Sequence, residues 1–304
     1  MTVYIIATVV TVLLALAYER RPKWHFLAVL AALPLALVAA LRLGVGTDYR
    51  LTYEPQYRAL VHMHGAGKSP EKEKAFVRLA KRGVFGKTPQ KVLRHFKKVV
   101  RRSEFGYRAL MELSWHTGAG FRGVIAFCAA VTALCVFLAI FRFSRWPSLA
   151  AFLYVAGGGY FLSLNIMRQY LAIGVGLLAL SFALDRKAWR FLAAVALAAA
   201  FHYSAFLLLV CYPLARIELT PRRGMVVIAV ALALSFFIAP LVYGALTFAG
   251  ADHYASYFRS KLAKDGFEWL FFAINACYLV MGAWYWKKAC VGNRYFALWY
   301  AMTV

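Results

Sequence analysis

Acidic residues are scarce in this 304-residue sequence, and its cysteines show no pairing. Only 12 Asp and Glu accompany 36 Lys and Arg, and the resulting formal charge of +24 would indicate a nucleic-acid partner in a soluble protein. The five cysteines lie within or beside apolar segments without paired spacing, so they indicate neither a disulfide framework nor a metal site. The chain contains no repeat of fixed period and no polar segment large enough for a soluble core.

Apolar runs of about 20 residues fill most of the chain instead. Hydrophobic residues make up 63% of the sequence, and the mean hydropathy is +0.63. These runs predict an all-α protein, a polytopic transmembrane helical bundle with about nine to ten membrane segments, some of them short or re-entrant. The basic residues cluster mostly between the runs, so membrane topology accounts for much of the charge and no nucleic acid is expected.

A single integral membrane domain over residues 1–304 is the predicted organisation. The first run, residues 3–18, has no basic region before it and no small-residue cleavage site after it, so it predicts a retained span rather than a signal peptide. Further along, a span is expected at 225–245, an outer loop at 250–266 and another span at 269–286. A last apolar run starts at Tyr295 and stops at Val304, so we expect the chain to be truncated within a span.

The longest polar segment, residues 44–121, is predicted to be a large extracytoplasmic loop. A short basic loop at 19–23 favours the cytoplasm, and alternation of spans then places 44–121 outside. Residues 71–102 contain 12 Lys and Arg with apolar residues at helical spacing. This pattern predicts two inserted basic amphipathic helices, separated near Gly86, that lie on the membrane surface. Positive charge on the outside opposes the usual bias, which weakens for loops of this length.

Arg168 is the only basic residue between Trp146 and Leu184, where two short apolar flanks meet. It belongs to the polar cluster Asn165-Ile166-Met167-Arg168-Gln169 and is expected near the turn between two spans, on the outer side. An arginine at this depth is costly and is usually retained because it meets an anion. Arg168 is therefore a candidate site residue, with snorkelling to head groups or pairing with a nearby carboxylate as the alternative.

Basic clusters at 186–190 and 216–223 flank the apolar residues 191–214 on both sides. If both clusters are cytoplasmic, the segment enters and leaves the membrane by the same face. Each half of such a hairpin reaches only about 18 Å, short of a hydrocarbon core about 30 Å thick. The turn, Phe201-His202-Tyr203-Ser204, would then lie within the membrane and line a cavity. One long tilted helix is the alternative.

Polar groups from three segments are predicted to open to the outer side. The candidate catalytic residues are Asp48, Arg168 and His202. The candidate substrate-binding residues are polar neighbours of these three: Arg42, Tyr49, Arg50, Tyr53, Asn165, Gln169, Tyr203 and Ser204. A guanidinium fork and a protonated imidazole suit a phosphate or pyrophosphate, and a carboxylate can accept a proton from a sugar hydroxyl. Two structural roles remain open: Asp48 as a turn residue or counter-ion of Arg50, and His202 as a core histidine bonded to a backbone carbonyl.

Four short motifs, in this order, resemble the EpsG family, which is similar in role to the Wzy polysaccharide polymerases. They are Gly46-Thr47-Asp48-Tyr49 with Tyr53, Glu104-Phe105-Gly106-Tyr107, Asn165-Ile166-Met167-Arg168-Gln169 with Ala172, and Phe201-His202-Tyr203-Ser204-Ala205. The resemblance spans about residues 40–210, and the family pattern carries over at Asp48, Arg168, Gln169 and His202. The basic insertion at 68–102 is longer than expected of the family.

The resemblance implies a glycosyltransferase of the bacterial inner (plasma) membrane, with its active site facing the periplasm or outside. It would join undecaprenyl-pyrophosphate-linked oligosaccharide repeat units into an exopolysaccharide or O-antigen chain. Arg168, together with His202, would hold the pyrophosphate leaving group, and Asp48 would be the base on the acceptor hydroxyl, although Asp48 and His202 can exchange roles. No cofactor and no metal are expected, and the expected partners are membrane lipids and a chain-length regulator.

Two other classes of membrane protein share some of these features. A lipid-linked oligosaccharide flippase also uses broken helices and buried charges, but it moves its substrate without changing its length. A membrane acyltransferase that acts on surface sugars would require a second acidic or histidine partner near His202, and residues 191–214 supply none.

Overall fold

The structure is a computed structural model that describes residues 1–24, 26–83, 85–216 and a few positions beyond: 222–223, 225–226, 230, 244, 276–277 and 280–286. The chain divides into two compact units, Met1–Tyr212 and Pro213–Val304. Nearly all described residues belong to the first unit, and the site lies within it. The outer loop predicted at 250–266 lies outside the described residues, as do most of the span predicted at 225–245 and half of the span predicted at 269–286.

Every regular element in the described part of the chain is helical, which confirms the predicted all-α class. The helices of the first half are α1 (Thr2–Arg20), α2 (Phe26–Leu41), a π-helical turn (Tyr49–Tyr53) that runs directly into α3 (Glu54–Met63), α4 (Lys74–Arg82), α5 (Pro89–Arg102) and α6 (Phe105–His116). They are followed by α7 (Gly120–Phe143), α8 (Pro147–Ala156), α9 (Gly159–Asn165), α10 (Met167–Leu184), α11 (Ala188–Phe201), a 3-10 helix (Tyr203–Val210) and α12 (Cys211–Leu214).

Three of these helices, α1, α7 and α10, are long and apolar enough to cross a membrane. The pair α8 and α9, bent by 53° at its break, is a fourth candidate if it counts as one broken span. The helices α2 and α11 and the segment Tyr203–Leu214 are apolar but shorter. The chain is therefore a multi-pass membrane protein, while the total of about nine to ten segments stays a prediction.

The bend between α8 and α9 lies at Gly158, which has a φ of 84°. Residues with a Cβ avoid this left-handed conformation, so glycine suits the break. A second break follows at Ile166, and Arg168 lies in the first turn of α10. A helix break next to Arg168 is thus present, as predicted, while its position between two spans on the outer side of a membrane stays a prediction.

Small side chains dominate the contact between α2, α7 and α1. Buried alanines of α2 pack against buried alanines of α7 in one apolar cluster, which also includes Leu35 and Phe137. Small residues let membrane helices approach closely. The Tyr160 hydroxyl donates a hydrogen bond to the Leu35 carbonyl at 3.0 Å, which ties α9 to the middle of α2. These contacts form a packed frame beneath the polar residues at the helix ends.

The helices between residues 49 and 116 surround an apolar core of their own, which continues into α7 and α10. Its largest fully buried members include Phe76, Phe96, Tyr107 and Met111. The helices α4 and α5 do have one apolar and one basic face, but the apolar residues of both are buried against α3 and each other. The expected contact of these faces with a membrane surface is therefore wrong, because α3 supplies a complementary apolar face within the protein. The extracytoplasmic position of this segment stays a prediction.

The chain reverses direction at His202, where α11 ends and the backbone becomes extended. The rings of Phe191 and Tyr212 stack with 5.1 Å between their centroids. In one continuous helix these two residues would be about 31 Å apart, at about 1.5 Å per residue. The predicted reversal within 191–214 is therefore confirmed, and the single long helix is wrong. Entry and exit by the same face of a membrane stay a prediction. His202 lies at its turn, as predicted.

Candidate functional site

Glu104 lies at the centre of a polar cluster that three distant segments build together. Its Oε2 accepts a hydrogen bond from Arg168 Nη1 at 2.6 Å. Its Oε1 lies 3.4 Å from His202 Nδ1. The Glu104 side chain is only 10% exposed, against 20% for Arg168 and 29% for His202. One buried carboxylate therefore holds a guanidinium and an imidazole side by side.

Gly106 explains how Glu104 comes so close to His202. Glu104 immediately precedes α6, and Gly106 packs against the last turn of α11, directly before His202. A Cβ on Gly106 would lie 2.9 Å from the Ala200 carbonyl oxygen and 3.1 Å from the Ala200 Cβ. Only glycine allows α6 to approach α11 this closely without a shift. The Glu104-Phe105-Gly106-Tyr107 and Phe201-His202 motifs thus meet through one helix contact.

The guanidinium of Arg168 also lies over two tyrosine rings. Its Cζ is 4.9 Å from the ring centroid of Tyr107 and 5.8 Å from that of Tyr53. The two rings contact each other edge to face, with centroids 6.1 Å apart. Burial raises the pKa of both phenols, against the opposing charge of Arg168, so both hydroxyls keep their protons at neutral pH. Cation–π contact with two rings fixes the plane of the guanidinium.

Three buried polar atoms of this cluster have no hydrogen-bond partner among the described residues. They are Arg168 Nε, the Tyr107 hydroxyl and His202 Nδ1. Buried polar groups are normally satisfied, so three such atoms around one carboxylate indicate capacity for further partners. The alternative prediction that Arg168 pairs with a nearby carboxylate is confirmed, and Glu104 is that carboxylate. That pair occupies Nη1 of the guanidinium, and the Tyr53 hydroxyl is a further hydrogen-bond neighbour of Arg168.

Asp48 is held at the same end of the bundle by Asn165. The Asp48 backbone N–H donates a hydrogen bond to Asn165 Oδ1 at 3.0 Å. Gly46 has a φ of 96°, and a Cβ there would lie 3.1 Å from the Leu164 carbonyl oxygen, so the loop rests on the end of α9. Burial raises the pKa of the Asp48 carboxyl, and the nearby Arg168 offsets part of that rise. A carboxylate with a raised pKa is a better proton acceptor.

Arg42 is buried behind the cluster, with only 7% of its surface exposed. Its Nη1 donates to the Ala39 carbonyl at 3.3 Å, and its Nη2 lies 3.7 Å from the Met167 sulfur. Arg42 has no carboxylate partner within ion-pair distance in the described part of the chain. It therefore adds positive charge next to the segment that carries Arg168.

The remaining predicted residues divide into two groups. Tyr53 contacts Arg168 of the cluster and Asn165 holds the Asp48 backbone. Tyr49 instead packs edge to face on Phe121, with ring centroids 5.2 Å apart. Gln169 is half-buried in the first turn of α10 and forms no hydrogen bond with the described residues.

The structure does not bring Arg50, Tyr203 and Ser204 to the cluster. All three are exposed, and within the described ranges none forms a hydrogen bond or ion pair with Asp48, Arg168 or His202. The guanidinium of Arg50 lies over Gly44, where a Cβ would be 2.7 Å from Nη2. Asp48 and Arg50 therefore form no ion pair with each other. The ring of His202 forms no hydrogen bond with a backbone carbonyl of the described residues, so the second structural role is not realised either.

Two central residues, Tyr107 under Arg168 and Glu104, are not among the site residues that the sequence predicts, although both belong to one motif. For Glu104, no role follows from the motif alone. Two signals were available: it is one of only 12 acidic residues in a chain with 36 basic ones, and it follows a strongly basic stretch directly. It also supplies His202 with the acidic partner that residues 191–214 lack. No three His, Cys, Asp or Glu side chains of the described residues are grouped as ligands for a metal.

The sequence model of the EpsG family matches residues 25–304. The chain belongs to the EpsG family. The match includes all four motifs whose residues build or border the cluster, and it confirms the resemblance drawn from them. No curated protein and no solved structure matched the chain. EpsG membership gives this membrane protein a polymerase-like role in polysaccharide biosynthesis.

Proposed function

We propose that this EpsG protein is a glycosyltransferase of the bacterial inner membrane that polymerises lipid-linked oligosaccharides. It joins undecaprenyl-pyrophosphate-linked repeat units on the extracytoplasmic face. The observation that carries the proposal is Glu104, which holds Arg168 and His202 side by side at 2.6 and 3.4 Å in a member of a polymerase-like family. Two adjacent nitrogen donors at the end of a membrane bundle suit a diphosphate attached to a lipid.

The reaction transfers a glycosyl group from the diphosphate to an acceptor hydroxyl. A base removes the hydroxyl proton, the acceptor oxygen forms a bond to the anomeric carbon, and the bond from that carbon to the diphosphate oxygen breaks. The diphosphate leaves with the electron pair, so negative charge grows on its oxygens. Fixed positive charge at that place is the most effective form of catalysis for such a step.

Arg168 and His202 are assigned to the leaving diphosphate. Glu104 occupies Arg168 Nη1 and the Tyr53 hydroxyl is a second neighbour of the guanidinium, so the N–H groups that these two leave are assigned to phosphate oxygens. Glu104 approaches His202 from the Nδ1 side, so the Nε2 edge of the ring is the one assigned to the same diphosphate. Glu104 is a positioning residue in this mechanism, since it contacts both donors and not the substrate.

Asp48 is assigned as the base on the acceptor hydroxyl. Its carboxyl is separate from the Glu104 cluster, and no ion pair within the described residues neutralises it. Burial raises its pKa, which strengthens it as a proton acceptor. The backbone contact with Asn165 fixes its position relative to the end of α9.

The test uses purified full-length protein, a lipid-pyrophosphate repeat unit and product length on a gel. Glu104→Gln is expected to lower kcat/KM by about 10- to 100-fold, because both donors lose the group that orients them. Arg168→Lys keeps the charge but loses the planar fork, and a loss of about 100-fold or more is expected. Glu104→Asp should restore part of the activity.

Glu112→Gln is the matched control. Glu112 lies on α6, the helix that Glu104 directly precedes, but it pairs with His64 at 2.7 Å, away from the cluster. All variants are compared at equal amounts of folded protein, judged by gel filtration in detergent. Full polymerisation by Glu104→Gln and Arg168→Lys would refute the assigned roles. Movement of the repeat unit across liposomes without any change in its length would identify a flippase instead.

A further inference from the structure

A cavity of about 620 Å³ lies between α3 and the turn from α6 to α7, separate from the Glu104 cluster. Its volume falls within the range of about 300–1,000 Å³ that is usual for ligand pockets. Gly118 and Gly120 border it with φ values of 73° and 65°, and a Cβ on either would point into open space. The small residues at this turn therefore leave room that a ligand can fill.

Four aromatic side chains line one part of this cavity: Tyr49, Tyr57, Trp115 and Phe121. Tyr49 and Tyr57 both pack on Phe121, with ring centroids 5.2 and 5.8 Å away, which holds the rings rigidly. Trp115 is half-buried and stacks on His64 at 5.9 Å. Rigid aromatic faces with polar groups at their edges suit the apolar C–H face of a sugar ring.

Charged side chains line the rest of the cavity, and only some of them are neutralised. Glu54 pairs with Arg78 at 3.2 Å, and Glu73 lies 4.0 Å from Arg58. Lys68 and Arg122 also line the cavity, are exposed, and have no ion-pair partner among the described residues. The cavity therefore presents two positive charges that no carboxylate balances.

We propose that this cavity binds a negatively charged sugar residue of the repeat unit. The sugar ring packs on the aromatic side chains, and its carboxylate or phosphate substituent meets Lys68 and Arg122. This inference rests on the proposed function, because it names a substrate class for the same enzyme. Neither an apolar ligand nor a neutral sugar would account for the two unbalanced charges beside the aromatic rings.

The position of the cavity links it to the proposed active site through one helical turn. Tyr49 lines the cavity at the start of the π-helical turn, and Tyr53 lies under Arg168 at its end. Asp48 directly precedes Tyr49. A glycan bound in the cavity is therefore next to the segment that carries the proposed base. The cavity suits a sugar that lies a short way along the chain from the reacting end.

The experiment measures binding of the free repeat-unit oligosaccharide to the purified full-length protein by equilibrium dialysis. Mild acid releases the probe from its lipid diphosphate, so it reports on the sugar alone. We expect saturable binding that weakens about tenfold or more in the Lys68→Gln/Arg122→Gln variant. The matched control, Lys23→Gln/Arg145→Gln, removes the same charge from exposed positions outside the cavity and should bind normally.

Chemical treatment of the probe identifies the source of the charge. Carboxyl reduction weakens binding about tenfold if the charge is a uronate or another carboxylate, and dephosphorylation with hydrogen fluoride does so if it is a phosphate. Trp115→Phe, which retains an aromatic face, should bind more tightly than Trp115→Ala. A repeat unit without any acidic group, or unchanged binding after both treatments, would overturn the inference.

The outcome is separable from that of the proposed function. Arg168→Lys is expected to stop polymerisation while leaving binding of the free oligosaccharide unchanged. A protein that polymerises normally but shows no saturable binding would refute the cavity as a sugar site and leave the active site intact. A protein that binds the probe but never lengthens it would refute the polymerase and keep the sugar site.

Discussion

Three ionisable side chains, Glu104, Arg168 and His202, share a small and largely enclosed volume. Placing a charge in such a volume is costly unless a partner of opposite sign is within bonding distance. Arg168 has that partner at 2.6 Å, and its planar group also lies over two tyrosine rings. Removing one partner of a buried pair typically costs about 3–5 kcal/mol of stability. The conservative changes Glu104→Gln and Arg168→Lys therefore test function better than truncation to alanine.

At the residue scale, Asp48 predicts a pH dependence. As a base, Asp48 must be ionised. An ordinary aspartate has a pKa of about 3.9, and the pKa of Asp48 is raised, so Asp48 keeps its proton up to a higher pH. The value of kcat/KM is therefore expected to fall as the pH drops through this raised pKa. The measurement is the pH profile of polymerisation for wild type and Asp48→Asn.

Asp48→Asn should lose at least 100-fold in kcat/KM, and its residual activity should lack the acidic limb. Asn165→Ala provides the comparison, because it removes the hydrogen bond to the Asp48 backbone but keeps the carboxylate. It should keep the limb at lower activity. An Asp48→Asn profile with the same acidic limb as wild type would exclude Asp48 as the base and direct attention to His202.

At the scale of elements, one close helix contact positions the whole cluster. The helix α6 approaches α11 through Gly106, and the turn of the hairpin then presents His202 to Glu104. Arg168 comes from a third element, the first turn of α10, directly after the break at Ile166. Broken helices of this kind are tolerated at membrane depth where protein or water satisfies their backbone groups. In this fold they serve to bring polar residues to one end of the bundle.

Gly106→Ala tests the importance of that contact. The new Cβ would lie 2.9 Å from the Ala200 carbonyl oxygen, so α6 has to move by a few tenths of an ångström away from His202. We expect a loss of about tenfold or more in polymerisation with the fold retained, since small displacements of catalytic groups are expensive. Product length on a gel and gel filtration of the variant give the two readouts.

Gly83→Ala is the control for a glycine of a different kind. Gly83 ends α4 with a φ of 68°, and a Cβ there would meet nothing within 4 Å. The change strains the backbone by about 1–2 kcal/mol but does not press on another helix. Its activity should stay near that of wild type. Equal losses in Gly106→Ala and Gly83→Ala would argue against a specific role for the contact between α6 and α11.

At the scale of the whole first unit, the helices at 49–116 and the membrane helices share a core. Phe96 of α5, Tyr107 of α6, Cys128 of α7 and Leu171 of α10 belong to one apolar cluster. The basic helices are thus part of the structure that supports the site and not a surface attachment. Damage to this core should therefore reach the residues around Arg168.

Phe96→Ala is expected to destabilise the protein by about 3–5 kcal/mol, because Phe96 is 2% exposed and leaves a cavity. Thermal unfolding in detergent measures the loss, and polymerisation should fall in parallel with the folded fraction. Phe152→Ala on α8 removes the same side chain from a position that is 49% exposed, and little change is expected. Normal stability of Phe96→Ala would show that α5 is not part of the common core.

The sequence by itself determined the helical class, the membrane character, the break at Arg168 and the hairpin at His202. These features depend on local composition: apolar runs, their lengths and the charges that flank them can be recognised without knowledge of the fold. It also indicated two amphipathic helices at 71–102. It did not indicate their partner, since an apolar face is equally suited to a membrane and to another helix.

Only the tertiary structure decided that Glu104 is central and that Arg50, Tyr203 and Ser204 are not. Glu104 is 64 residues from Arg168 along the chain, and its approach to His202 depends on how α6 packs against α11 through Gly106. No periodicity or spacing in a single sequence specifies such a contact, because it results from the fit of surfaces far apart along the chain. The cavity beside Tyr49 has the same origin, since it lies between helices that only the fold brings together.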